Sequence, residues 1–263
     1  MIVDEEEGKD LLFNGSLEKG LMVLGAFKGE RRHMSIREVA EVVGLNRSSA
    51  QRMVYTLEKL GFIRKSEKTR KYQLTLKALN IGFNYMASNP IVDLAGPFLL
   101  ELSNVTGETT NLTEPDGTEM VYVSRYIAPK FIPVQMHIGS RIPAYCTGSG
   151  RAYLSALPWE EAASIIERSD LVRHTEWTEC DIDRLRDIIL ETKRRGFAYN
   201  KEEFYLGDMT VGAAVMGARG RPIGAVHVVA PTSRWSLEAA CERLGPAVIE
   251  CANGISRSIR AVD

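Results

Sequence analysis

The chain has 263 residues, 44% apolar and 25% charged, the make-up of an ordinary globular protein with length enough for two domains. It contains no run of 18 apolar residues, and it starts acidic, Asp4-Glu5-Glu6-Glu7, where an export leader is basic and then apolar; we expect a cytoplasmic protein with no membrane partner. The net charge of −1 hides an asymmetry: residues 11–90 hold 14 Lys/Arg against 6 Asp/Glu, whereas residues 91–263 hold 18 against 23, so residues 11–90 carry the electrostatic footprint of a nucleic-acid binder.

Residues 1–15 read as a disordered leader. Ser16 then opens a helix with Leu17, Leu21, Leu24 and Phe27 on one face. A second helix follows Ser35, with Glu38 three residues on completing a capping box; its Ile36, Val39, Ala40 and Val43 have the spacing of one buried face, and Gly44 closes it. Asn46 caps a third helix whose Ala50, Met53, Val54, Leu57 and Leu60 repeat that pattern until Gly61. At 100° per residue, Ser48, Arg52, Tyr55 and Lys59 fall on the opposite face with Gln51 at its edge. That face has no acid, and its N-terminal half carries Arg47, Ser48, Ser49, Gln51 and Arg52, donors and acceptors suited to base edges and phosphates in a major groove.

The pair therefore reads as a helix-turn-helix. The competing reading, two amphipathic surface helices without DNA, does not explain why cap, turn, spacing and surface chemistry agree. Phe62-Ile63-Arg64-Lys65, a polar Ser66-Glu67-Lys68-Thr69 and Arg70-Lys71-Tyr72-Gln73-Leu74 form a hairpin with five basic residues against Glu67. By itself such a charge run is as readily a solvated face; after a helix-turn-helix it reads as a wing on the phosphate backbone. The expected DNA-contact set is Ser35, Arg47, Ser48, Ser49, Gln51, Arg52, Tyr55, Lys59, Lys68, Arg70 and Lys71, in a winged domain over residues 16–75. Residues 76–90 read as a linker helix whose apolar side chains cover more than one face, as a helix packing also on a second subunit would.

Residues 91–263 form the second domain. Helices are expected at 92–106, 149–157, after Pro158, at 181–195 and at 235–259. Strands are expected at 109–114, 120–126, 131–138, 197–200, 210–216 and 223–229. Antiparallel strands with helices set to one side make this an α+β domain on a central sheet. Cys146, Cys180, Cys241 and Cys251 lack CxxC spacing and the four histidines are scattered, so neither a metal nor another cofactor is expected. Thr147-Gly148-Ser149-Gly150 precedes a helix, where two glycines let backbone N–H groups approach a carboxylate or simply make a tight turn. Cys146 and Ser149 are the candidate nucleophiles of an alternative reading, a hydrolase or acyl-transfer enzyme fused to the DNA-binding domain. The motif, however, lacks the Gly-x-Ser-x-Gly elbow.

From Ser16 onward the chain resembles the IclR family of bacterial transcription regulators. The carrying stretches are Ser16-Leu17-Glu18-Lys19-Gly20-Leu21, Leu45-Asn46-Arg47-Ser48-Ser49-Ala50-Gln51-Arg52, Leu57-Glu58-Lys59-Leu60-Gly61-Phe62-Ile63, Gly148-Ser149-Gly150-Arg151-Ala152-Tyr153-Leu154 and Arg195-Gly196-Phe197-Ala198-Tyr199-Asn200-Lys201-Glu202-Glu203. The resemblance implies a winged helix-turn-helix and a GAF-like C-terminal domain that binds a small effector. It also implies homodimers, often dimers of dimers, on an operator near a catabolic or efflux operon, most simply as a repressor. Carried onto the family's effector pocket, Phe131 and Val134 would line a wall and Gly148 and Ser149 would meet an acid group. Asn200, Thr210, His227 and Val229 would project from the sheet. His227 and Val229 stand where members binding very small acids have small hydroxyl residues, which favours a larger, aromatic carboxylate or phenol.

Overall fold

The computed structural model describes residues 12–29, 31–129 and 136–262, in two units that part between Tyr85 and Met86. The first contains α1 (Gly15–Gly25), α2 (Ile36–Val43), α3 (Arg47–Lys59), the strands β1 (Ile63–Lys65) and β2 (Tyr72–Leu74), and most of α4 (Leu76–Ser88). The capping box forms as the sequence predicts: Glu38 N–H donates to Ser35 Oγ and Ser35 N–H to Glu38 Oε2. Gly44 closes α2 in the left-handed region at φ 66°, where a side chain would be strained. Asn46 caps α3 by accepting from Ser49 N–H at 2.8 Å. Val39, Ala40, Ala50, Val54 and Leu57 meet Ile63 and Tyr72 in one core, and a bridge between Met34 and Tyr72 ties the wing to the helices.

Three local expectations shift. Helix α1 is capped by Asn14 and not opened by Ser16. It buries Val23 and Phe27, with Leu24 packed alongside, while Leu17 and Leu21 stay 61% and 56% exposed. The buried face runs through Gly20, which sits against Met53, and a glycine gives no apolar signal to a helical pattern. Leu60 likewise ends up exposed at the C-cap of α3. Helix α4 buries no residue of its own and leaves Leu76, Leu79, Ile81, Phe83 and Tyr85 exposed.

The second unit is α5 (Pro90–Thr106), β3 (Thr110–Asp116), β4 (Glu119–Tyr126), β5 (Arg141–Pro143), α6 (Gly148–Ser155), α7 (Trp159–Glu167), α8 (Ile182–Arg195), β6 (Ala198–Lys201), β7 (Met209–Met216), β8 (Pro222–Val229) and α9 (Leu237–Val262). The six strands pair antiparallel in the order β5-β4-β3-β8-β7-β6. Helices cover both faces and not one. Leu99 and Leu102 of α5 and Leu244, Val248 and Ile255 of α9 pack on Val226 and Val228. Across the sheet, Ala152, Leu154, Ile166 and Leu185 of α6, α7 and α8 pack around Ala225. Alternation along β8 thus puts Val226 and Val228 on one face, Ala225, His227 and Val229 on the other. Of the strand expected at 131–138, residues 131–135 lie outside the described residues, while Met136, His137 and Ile138 are not strand; β5 pairs Ile142 with Met120. A three-residue strand ending in proline is too short to show periodicity.

Candidate DNA interface and ligand cavity

In the first unit Arg47, Ser48, Gln51, Arg52, Tyr55 and Lys59 are all exposed along α3. Ser48, Gln51, Arg52 and Tyr55 line a groove that continues to Lys65 and Tyr72 on the wing. Lys59 lies over the Tyr55 ring with its Nζ 5.5 Å from the centroid, which holds both outward. No carboxylate pairs with Arg47, Arg52, Lys68 or Arg70 among the described residues, so their charge is open to an anion. Two members of the expected set are otherwise engaged, and a third is not available. Lys71 donates to Glu38 Oε1 at 2.7 Å, and that contact, with the cap hydrogen bond from Ser35, holds the Glu38 carboxyl down at about 2. Ser35 Oγ is spent on the capping box. Ser49 is 9% exposed and belongs to the buried side of α3.

In the second unit a cavity opens over the sheet face that carries His227. Its walls come from strand register. Asn200, Thr210 and Val229 stand in one cross-strand row, and Gly212, His227, Asn111 and Arg125 in the next. Tyr122 and Arg125 are three residues apart and would point to opposite faces of a regular strand; the bulge that leaves Val123 unopposed on β4 brings both to the cavity. Among the described residues, Phe204, Tyr205 and Asp208 on the β6–β7 connection, Thr147 and Ser149 at the start of α6, and Met136 and Ile142 add to the lining.

Hydrogen bonds fix the polarity of this cavity. Arg125 Nε donates to Asn111 Oδ1 at 2.8 Å, which turns the Asn111 amide nitrogen toward His227 Nε2 at 3.1 Å. Nε2 must therefore accept, and the proton of the neutral ring sits on Nδ1. Burial, reinforced by the Arg125 charge, pushes His227 down to about 3, so the ring is neutral. The Nδ1–H has no partner; nor do Ser149 Oγ and Asp208 Oδ1, all three shut off from solvent. Buried polar atoms are normally paired, and three that are not line this one cavity, which makes it the candidate ligand site. Burial lifts the Asp208 carboxyl from 3.8 to about 6 and lowers Arg125 below the usual guanidinium range.

Among the sequence-predicted residues, Ser149, His227 and Val229 line the cavity. Asn200 and Thr210 also line it, but they are committed to each other, to Cys146 O and to Gly148 N–H. The Gly148 and Gly150 N–H groups go to Thr210 Oγ1 and Thr147 Oγ1, not to a ligand. These glycines serve packing: a Cβ on Gly148 would lie 2.5 Å from Thr210 Oγ1, and one on Gly150 2.3 Å from the Ala144 backbone. We expect Gly150→Ala to cost about 3 kcal/mol, as overpacking does, read as a lower urea midpoint at unchanged slope. Phe131 and Val134 lie outside the described residues. Sequence reasoning missed Tyr122, Arg125, Phe204, Tyr205 and Asp208. The connection that carries three of them is anchored by Glu203, whose carboxylate grips Arg151 of α6 and accepts from Glu179 N–H at 3.1 Å.

The nucleophile alternative has no geometry behind it. The Cys146 thiol is pushed up to about 12 by burial, the reverse of activation, and Ser149 Oγ has no base within hydrogen-bond distance. Among the described residues no cluster of three or more His, Cys, Asp or Glu side chains is placed to hold a metal, and no helix is long and apolar enough to cross a membrane.

A basic helix-turn-helix with a wing in one unit and a ligand cavity in the other define a ligand-responsive DNA-binding regulator. Residues 16–67 match the IclR helix-turn-helix domain, and residues 83–257 match the C-terminal domain of the bacterial transcriptional regulator IclR. The chain belongs to the IclR family of bacterial transcriptional regulators. It is 27% identical over 248 residues to the Pca regulon regulatory protein of Pseudomonas putida, covering 94% of this chain and 84% of that protein. A transcriptional regulator from Rhodococcus sp. RHA1 superposes with a TM-score of 0.82 at 31% identity, over 95% of this chain and 100% of the other. An IclR homolog from Microbacterium hydrocarbonoxydans, crystallised with 4-hydroxybenzoate, shares the fold with a TM-score of 0.78 at 19% identity, over 94% of this chain and 99% of the other. The family's members are transcriptional regulators, not enzymes.

Proposed function

We propose that this chain binds its operator through α3 and the β1–β2 wing, and that an organic acid filling the cavity over His227 controls the grip. In the simplest case it represses a catabolic or efflux operon and is released by the acid. The observation that carries the ligand half of this reading is the set of three unpartnered buried atoms, His227 Nδ1, Ser149 Oγ and Asp208 Oδ1, lining one cavity. The DNA half rests on the exposed N-terminal half of α3, where Arg47, Ser48, Gln51 and Arg52 stand without an acid; Glu58 enters the groove only in the last turn. The enclosed space is about 30 Å³, room for water and not for an aromatic ring, so a ring-sized ligand must displace Phe204 or Tyr205. That displacement is the differential contact through which a ligand shifts a population of conformers. The Microbacterium homolog's ligand makes hydroxybenzoates the first acids to try.

The exposed apolar side chains of α4, with Leu17 and Leu21 of α1, are more than a lone surface leaves open to water, and we assign them to a second copy of this chain. A mobility-shift titration on the DNA upstream of its own gene tests the whole reading. The expected result is a band with a palindromic site at low salt, none with a half-site at the same concentration, and a midpoint moved at least tenfold by the active acid. A regulator that failed to retard any upstream fragment at low salt would contradict it.

A further inference from the structure

The cavity over His227 carries demands of opposite sign. His227 Nδ1–H is a donor in want of an acceptor, whereas Asp208 Oδ1 is a buried acceptor without a donor. Arg125 adds a positive charge: only its Nε is engaged, and among the described residues its terminal amino groups meet no acceptor and no carboxylate. Arg125 and Asp208 do not answer one another. Asp208 leads into β7 and Arg125 lies on β4, with β8 and β3 between them. At about 4.8 Å per strand that sets their backbones roughly 14 Å apart. The charge of Arg125 does not lower the Asp208 carboxyl, which burial alone raises. The two therefore mark opposite ends of one cavity, with the aromatic rings of Tyr122, Phe204 and Tyr205 along the way.

Resting on the effector reading above, we propose that Asp208 is the specificity-determining residue of this cavity. It selects organic acids that carry a hydrogen-bond donor, a hydroxyl or amino group, at the end remote from the carboxylate, while Arg125 and His227 take the carboxylate. A ligand with hydrogen or an ether oxygen at that end leaves Asp208 Oδ1 buried without a partner. A second carboxylate there meets it as a like charge. Sites built to hydrogen-bond a substrate hydroxyl reject the analogue lacking it far more strongly than apolar pockets reject a missing methylene. Among the described residues the titratable groups facing Asp208 are the neutral phenols of Tyr122 on β4 and Tyr205 on its own loop, with the Arg125 charge and the neutral His227 ring further along the cavity.

Calorimetry on the full chain at pH 7.5 tests this with two matched sets: 4-hydroxybenzoate, benzoate and 4-methoxybenzoate, and 5-hydroxypentanoate, pentanoate and 5-methoxypentanoate. In at least one set the hydroxy acid is expected to bind ten times or more tighter than both partners. In Asp208→Asn, whose amide both donates and accepts, the three are expected to fall within about threefold of each other. Wild type binding hydroxy and unsubstituted acids equally, or Asp208→Asn keeping the full preference, overturns the selectivity. Acids that bind with the preference intact in Arg125→Met and in His227→Leu, each verified as folded by thermal melting, overturn the cavity itself as the effector site. Failure of both sets to bind wild type overturns the proposal for acids of either scaffold.

Discussion

Arg52→Ala is expected to weaken operator binding about tenfold to a hundredfold and to flatten the preference for the operator over mutated sites. Arg52 stands exposed in the groove between α3 and the wing, in the half of the helix that meets base edges. A bidentate arginine–guanine contact discriminates by about 1–3 kcal/mol, and each 1.4 kcal/mol is a factor of ten. The double change of Lys68 and Arg70 to alanine should behave differently, because both lie at the tip of the wing, where Arg70 turns the chain at φ 59°. It should weaken binding to every duplex alike and reduce the slope of log affinity against log salt by about 2, near 0.9 for each phosphate that is no longer neutralised. Fluorescence anisotropy with operator and scrambled duplexes at several salt concentrations separates the two. An Arg52→Ala protein with undiminished selectivity would remove α3 as the reading element. Ser49→Ala, on the buried side, should leave the salt slope and the selectivity as they are.

Asp208→Asn is expected to stabilise the C-terminal unit at pH 8 by about 1–2 kcal/mol. Burial raises this carboxyl from 3.8 to about 6, and at about 1.4 kcal/mol per unit the strain of keeping it ionised has a ceiling near 3 kcal/mol; the new amide has its own unmet donors, which lowers the gain. The sign with pH follows from linkage. Between pH 6 and 3.8 the folded state takes up a proton that the unfolded chain does not, so this group's strain is fully present above 6 and fades as pH falls. His227 works the other way. Held down to about 3 from 6.5, it contributes stability that is lost as acid protonates the unfolded chain through that window. In the wild type the two slopes oppose each other, so stability changes little between pH 6 and 4. In Asp208→Asn the histidine slope stands alone: the advantage at pH 8 should be gone by pH 4, with a steep loss between. Urea titrations at half-unit pH intervals read this directly; equal midpoints for the two proteins at pH 8 would show that Asp208 is not strained.

Such a trade of stability for a demanding site is common where binding needs an unsatisfied group. It also explains what can be read from the sequence. The helix-turn-helix rests on interactions within a few residues, the Ser35–Glu38 box, Gly44 and the Asn46 cap, so it is legible along with the basic balance of its wing. The face of α1 is not, since Gly20 carries its packing without an apolar side chain. In the sequence Lys71 is one more free cation, because its partner, Glu38, lies 33 residues earlier, in α2. In the sensing domain the fold class and His227, Ser149 and Val229 are visible, the first from strand patterning and the others from the resemblance. Arg125 and Tyr122 are hidden by a bulge that breaks the alternation of β4, and Asp208 by its place in a connection with no periodicity.

The hydrogen-bond relay from Arg125 through Asn111 to His227 has an evolutionary corollary. Asn111 is wholly buried and is not itself a lining residue of the cavity, yet the direction of its amide dictates which imidazole nitrogen keeps the proton. An aspartate there would accept from both neighbours, move the proton to the other ring nitrogen, and leave a lone pair where a donor now stands. A single exchange behind the wall could thus invert what the regulator senses while every lining residue stays the same.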